Sequence, residues 1–146
     1  MNIDIVTKQL SNIISGDSIE RVKGYDELLR CSISFQGSAY QVLYVDCGSD
    51  WRDAAQTPQS FEKYLESRLT SDYYSQNGPI QWNYYYAFLI DKVDAPKVAA
   101  LKQFIEEDKL FARKLVVTPD QLTGWLKALQ RLSLPSDSST ILEPSV

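Results

Sequence analysis

The sequence predicts a single α/β (α+β) domain with a mixed central sheet of about four strands flanked by helices. Three observations predict it. Apolar residues recur every three or four positions in some segments and every second position in others, the periods of helix and strand. The segments follow in the order helix, hairpin, helix, strand, helix, strand, helix. An N-terminal hairpin is therefore antiparallel, and the two later strands are reached by right-handed parallel crossovers. Finally, a chain of 146 residues with 44% apolar and 23% charged side chains suits one buried core.

Taken in order, Ile3, Val6, Leu10, Ile13 and Ile14 describe one helical face, which Gly16 and Asp17 stop. Residues 17–27 are charged and read as a connection. The hairpin covers residues 28–47: Cys31, Ile33 and Phe35 alternate with polar residues, and Tyr40, Val42 and Tyr44 form the return strand. Gly37–Ser38 fits a two-residue turn between them. This register opposes Phe35 to Tyr40, Ile33 to Val42 and Cys31 to Tyr44 on one face. It also sets Cys47 against Leu28, so the two cysteines are expected on opposite faces, reduced and packed as small apolar groups.

Thr57–Pro58 supplies a hydroxyl cap and a first-turn proline for the next helix. Phe61, Leu65 and Leu69 repeat every four residues along it, with Tyr64 alongside, and Asn77–Gly78–Pro79 marks a turn. Residues 80–91 form the most strand-like stretch, with Trp82, Tyr84, Tyr86, Phe88 and Ile90 on one face and Asn83, Tyr85, Ala87 and Leu89 on the other. Its second half is apolar on both faces, which marks a central strand. Asp94 is expected to cap a helix over 95–107, with Val98, Leu101 and Ile105 inward. A short strand, Leu115–Val117, precedes Thr118–Pro119–Asp120–Gln121, a capping box with proline at the first helical position. Leu122, Trp125, Leu126, Leu129 and Leu132 form the stripe of the last helix. The domain thus spans 1–132, and residues 133–146 read as a flexible tail.

Composition narrows the function classes. No apolar run approaches the roughly 20 residues of a membrane span. Asp4 stands where a secretory leader would carry positive charge, so a cytoplasmic chain is expected. A net charge of −4 lacks the footprint of an autonomous nucleic-acid binder. The tyrosine runs at 73–74 and 84–86 would stack bases beside a basic groove, but only Lys63, Arg68 and Lys92 lie near them in sequence. Trp51 and Tyr85 are read instead as aromatic anchors for a protein partner.

Chemistry finds little to use. There is no histidine, and Cys47 has no basic partner in sequence, so a nucleophile would lack its base. The Asp46, Asp50 and Asp53 group lacks the alternating ligands of a calcium loop. Neither a catalytic residue, a metal site nor a cofactor is expected. A restriction-type nuclease is the enzymatic alternative, since it needs a carboxylate at one strand end and an acid–x–Lys on the next to hold magnesium. Asp46 ends the second strand, but the third offers only Asp91 and Lys92, which are adjacent and so face opposite ways.

One stretch remains, Ile105–Val117, reading IEEDKLFARKLVV. It turns from an acidic helix end through a basic step into an apolar strand. Glu107, Asp108, Arg113 and Lys114 read as a docking edge or as the charges that define this corner of the fold. Reversing Arg113 and Lys114 together is expected to abolish partner binding and spare the fold.

Tyr84–Asp91, the helix after it and this charged stretch resemble the small middle components of bacterial ABC-three-component defence systems of the Lamassu kind. The likeness covers about residues 40–120. In that family a phrase of the form I-E-x-D precedes C/A-R-K and alternating apolar residues, and Ala112 stands here where cysteine is frequent. The resemblance implies a non-catalytic adaptor beside an ABC- or SMC-like ATPase and an effector, often a nuclease, in anti-phage or anti-plasmid defence. It implies nucleic acid only through those partners, and neither a membrane nor a small molecule. A degenerate nuclease-like domain and a stand-alone immunity or chaperone-type protein are the alternatives.

Overall fold

A computed structural model describes residues 1–34, 41–75, 84–109 and 111–132. Helix α1 (Ile3–Leu10) is followed by strands β1 (Ile19–Arg21), β2 (Leu28–Ile33) and β3 (Gln41–Asp46). Helices α2 (Asp50–Ala54) and α3 (Pro58–Ser75) lead to β4 (Tyr84–Leu89), then α4 (Ala99–Glu107), β5 (Arg113–Val117) and α5 (Pro119–Leu132). The sheet has the order β1-β2-β3-β4-β5. Its first three strands are antiparallel, and β3, β4 and β5 run parallel.

Two right-handed crossovers that step in one direction must put their helices on the same face. Accordingly Trp51 of α2, Phe61 and Leu65 of α3 and Ile105 of α4 pack with Tyr44, Tyr86, Phe88 and Val116. Val6 and Leu10 of α1 and Leu122 and Leu126 of α5 cover the other face, on Leu29, Cys31, Leu43, Val45, Ala87 and Leu89. The mixed sheet flanked by helices is thus the expected one, with a fifth strand added.

That strand lies inside the expected connection. Ile19 pairs with Cys31 and Arg21 with Leu29, but only Ile19 of the three residues is even partly covered. A short charged edge strand looks like a loop because its exposed residues guard the edge.

The hairpin register is corrected by one residue. Ile33 pairs with Gln41, Cys31 with Leu43 and Leu28 with Asp46. The expected turn at Gly37–Ser38 lies outside the described residues. A slip of one moves a strand's side chains to the opposite face. Cys31 and Cys47 therefore share the α1/α5 face rather than opposing faces. Both are buried free thiols, and burial pushes each up to about 12.

Local signals fared unevenly. Thr118 and Gln121 exchange the expected pair of capping bonds, at 3.0 and 3.2 Å, and Thr57 Oγ1 accepts from Ser60 N–H at 3.2 Å. Asn2 caps α1 by accepting from Asp4 and Ile5 N–H. Asp94 makes no capping bond and instead pairs with Arg52 at 3.2 Å. The start of the long strand at 80–83, the turn at 77–79 and the tail 133–146 lie outside the described residues.

Candidate partner interface

The Ile105–Val117 stretch builds the outer corner of the sheet. Helix α4 ends at Glu107, and Asp108 is already extended. Phe111 takes a left-handed backbone, φ 70°, and is buried on the side of the sheet that α2, α3 and α4 cover. A bulky residue adopts that conformation at a cost of order 1 kcal/mol, which the packing offsets.

From there β5 alternates. Lys114 and Val116 point to the α4 side, Arg113, Leu115 and Val117 to the α5 side. The Lys114 side chain is 0% exposed, and its ammonium donates to Asp108 Oδ1 at 2.8 Å. Burial lowers its pKa below 10.5, and the Asp108 bond works against that shift. The charged pair expected at a docking edge is therefore turned inward, where it ties the helix end to the strand. Lys114 has no surface to offer a partner, and this part of the expectation is corrected.

Neighbouring charges close the sheet edge. Val116 N–H donates to Glu106 Oε2 at 2.9 Å, and Val116 C=O accepts from Lys102 Nζ at 3.1 Å. Lys102 also pairs with Glu106 at 2.8 Å. Two side chains of α4 thus occupy the places a sixth strand would take, which blunts an otherwise open edge.

On the opposite side of β5, Arg113 is exposed and its guanidinium lies 5.8 Å from the centre of the Tyr85 ring. Tyr85 meets Trp125 of α5 edge-on at 4.9 Å, and both rings are partly exposed. The structure therefore brings together two expected residues, Arg113 and Tyr85, and adds Trp125. In the sequence Trp125 is hidden as one member of an apolar stripe. Its signal is the large indole next to Gly124, at the margin of that stripe. Glu107 is exposed at the end of α4, on the surface as expected.

Trp51 is corrected outright. It is 0% exposed, packs on Phe88 with ring centres 5.1 Å apart and donates its indole N–H to Gly48 C=O at 2.9 Å. A helix of five residues carries it into the core, so it stabilises the fold and anchors no partner.

The nuclease alternative turns on Asp46, at the carboxyl end of β3. It is 3% exposed. One oxygen accepts from the hydroxyls of Tyr64 and Tyr86, the latter at 2.7 Å, and the other from Gly48 N–H at 3.0 Å. Burial, and then the charge of Asp46, raise both phenol pKa values well above 10. The Arg68 guanidinium lies over the Tyr64 ring, 3.5 Å from its centre, and 4.6 Å from the centre of the Tyr25 ring. A pocket of about 230 Å³ opens beside it, lined by Glu27, Asp50 and Arg68 among others. Asp91 and Lys92 are exposed beyond β4. Among the described residues, no three metal-binding side chains converge on one point. As it stands, the Asp46 carboxylate works as an acceptor that organises three donors.

Comparison with protein families, with curated proteins and with solved structures finds no match to this chain. No helix among the described residues is long and apolar enough to cross a membrane.

Proposed function

We propose that this protein is a non-catalytic cytoplasmic adaptor that holds an ABC- or SMC-like ATPase and an effector, such as a nuclease, in one defence complex. One observation carries the adaptor role: Arg113, Tyr85 and Trp125 meet on a partly exposed surface. Arginine, tyrosine and tryptophan are the residue types that most often dominate interface energetics. The nature of the partners rests on the family resemblance of the Ile105–Val117 stretch, which supplies Arg113 and fastens the strand that presents it.

The test is an affinity-tagged pull-down of the chain expressed from its own locus, with mass spectrometry of what accompanies it. An ATPase and an effector in stoichiometric amounts are expected. Recovery of the protein alone on a clean background would sink the adaptor role. The informative variant is Arg113→Glu by itself. Adding Lys114→Glu would set a buried carboxylate against Asp108 and confuse lost binding with lost folding.

A further inference from the structure

We propose that Lys102 and Glu106 of α4 guard the sheet against a second copy of this chain, by keeping β5 from pairing antiparallel with its own counterpart. The inference stands apart from the adaptor role, since it concerns the sheet edge when no partner is bound.

Unpaired N–H and C=O groups on either edge of a sheet invite another strand. Here the edges are β1 and β5. Strand β1 is three residues long, with exposed Glu20 at its centre. Pairing it with its copy about a two-fold axis sets Glu20 against Glu20, and like charges directly opposite are unfavourable. That edge protects itself.

Strand β5 has no such protection in its own residues. Val117 C=O accepts from Ile90 N–H at 3.0 Å, so Val117 faces β4. By strand alternation, Val116 and Thr118 turn their main-chain groups outward. Pairing centred on Val116 sets Val116 against itself, Leu115 against Val117 and Lys114 against Thr118. No like charges meet, and the two copies of Val116 would exchange both of their hydrogen bonds. Two of the five strand residues are valines, a type enriched in strands.

Helix α4 stands in the way. Glu106 Oε2 accepts from Val116 N–H at 2.9 Å, and Lys102 Nζ donates to Val116 C=O at 3.1 Å. One helical turn apart, the two also pair with each other at 2.8 Å, so they meet the edge as a unit. Next along the edge, Gln121 Oε1 takes Thr118 N–H at 3.0 Å. A second copy would have to displace an ion pair from the centre of its register. Lys102 and Glu106 are 44% and 31% exposed, so removing them opens the edge and leaves the core intact.

The experiment compares the full-length chain with Lys102→Ala/Glu106→Ala by light scattering after size exclusion, and by amide hydrogen exchange, over a wide range of concentration. The wild type is expected to be monomeric. The double variant should associate as concentration rises, and its Val116 N–H should exchange at least tenfold more slowly once associated. Glu106→Gln, which keeps an acceptor for that N–H, should stay monomeric. Should the double variant fail to fold, Glu106→Ala alone carries the same expectations. A folded variant that stays monomeric throughout, or associates while Val116 N–H exchanges freely, would overturn the proposal. So would a wild type already paired through β5. Equal association of Glu106→Gln would assign the effect to lost charge and overturn it too.

Discussion

Asp46 and Lys114 are both buried charges, and the fold handles them in opposite ways. Asp46 is surrounded by neutral donors, two phenol hydroxyls and one backbone N–H. Lys114 donates to an opposite charge, Asp108, whose side chain is still 27% exposed. The anion thus recovers its lost hydration from neutral dipoles, of which Tyr86 is buried and Tyr64 and Gly48 are partly so, whereas the cation leans on a charged partner that reaches water. Burial alone does not tell whether a charge is costly to remove. What matters is what its partners do afterwards.

The sharpest break of the comparison is removal of each partner. Asp46→Ala strands two hydroxyls and an N–H, and we expect a loss of about 3–5 kcal/mol in urea unfolding. Asp108→Ala should cost about 3 kcal/mol, because it leaves a buried ammonium without its carboxylate. Lys114→Met should stay within about 1 kcal/mol of wild type, since Asp108 can turn to solvent. If Lys114→Met proves as costly as Asp108→Ala, the ion pair is net stabilising and the contrast with Asp46 disappears.

Tyr86→Phe removes one of three donors and should cost about 1–2 kcal/mol, well below Asp46→Ala. It also sharpens the comparison through pH. The fold raises the Tyr64 and Tyr86 pKa values, so above pH 10 the unfolded chain gives up protons that the native state keeps. Stability is then present below pH 10 and falls as pH rises beyond it. Burial lowers Lys114 below 10.5, so in the window under that value the unfolded chain binds the proton more firmly and stability climbs with pH. Melting curves across the alkaline range should show a flatter fall above pH 10 in Tyr86→Phe. In Lys114→Met, the rise below 10.5 should vanish. Equal slopes in wild type and both variants would show that neither site is linked to folding.

The smallest effect is expected at the surface. Arg113→Glu should change stability by no more than about 0.5 kcal/mol, as for other exposed charges, even where it abolishes partner retention. A loss above 2 kcal/mol would make Arg113 a structural residue like its neighbour.

Adjacent residues show where legibility in the sequence ended. Arg113 and Lys114 are both long cations at the start of one strand, and nothing in composition separates them. Strand alternation sends one to each face, but which face is wet depends on the helix packed there. Helix α4 covers Lys114, while the α5 side leaves Arg113 exposed. Trp51 failed for a related reason. An indole in a polar loop looks exposed until a short helix folds it onto Phe88.

The sequence by itself determined the longer helices α1, α3, α4 and α5, the strand-like stretches of β2 to β5, their order and the mixed sheet with helical crossovers, but neither β1 nor the short helix α2. Those depend on local period and on caps such as Thr118–Gln121, which act within a few residues. Tertiary structure alone decided the hairpin register, the edge strand β1 and the common face of Cys31 and Cys47. It also decided the union of Arg113, Tyr85 and Trp125. Each of these depends on which residue of a distant segment lies opposite, and a one-residue slip that keeps the same local pattern exchanges the two faces.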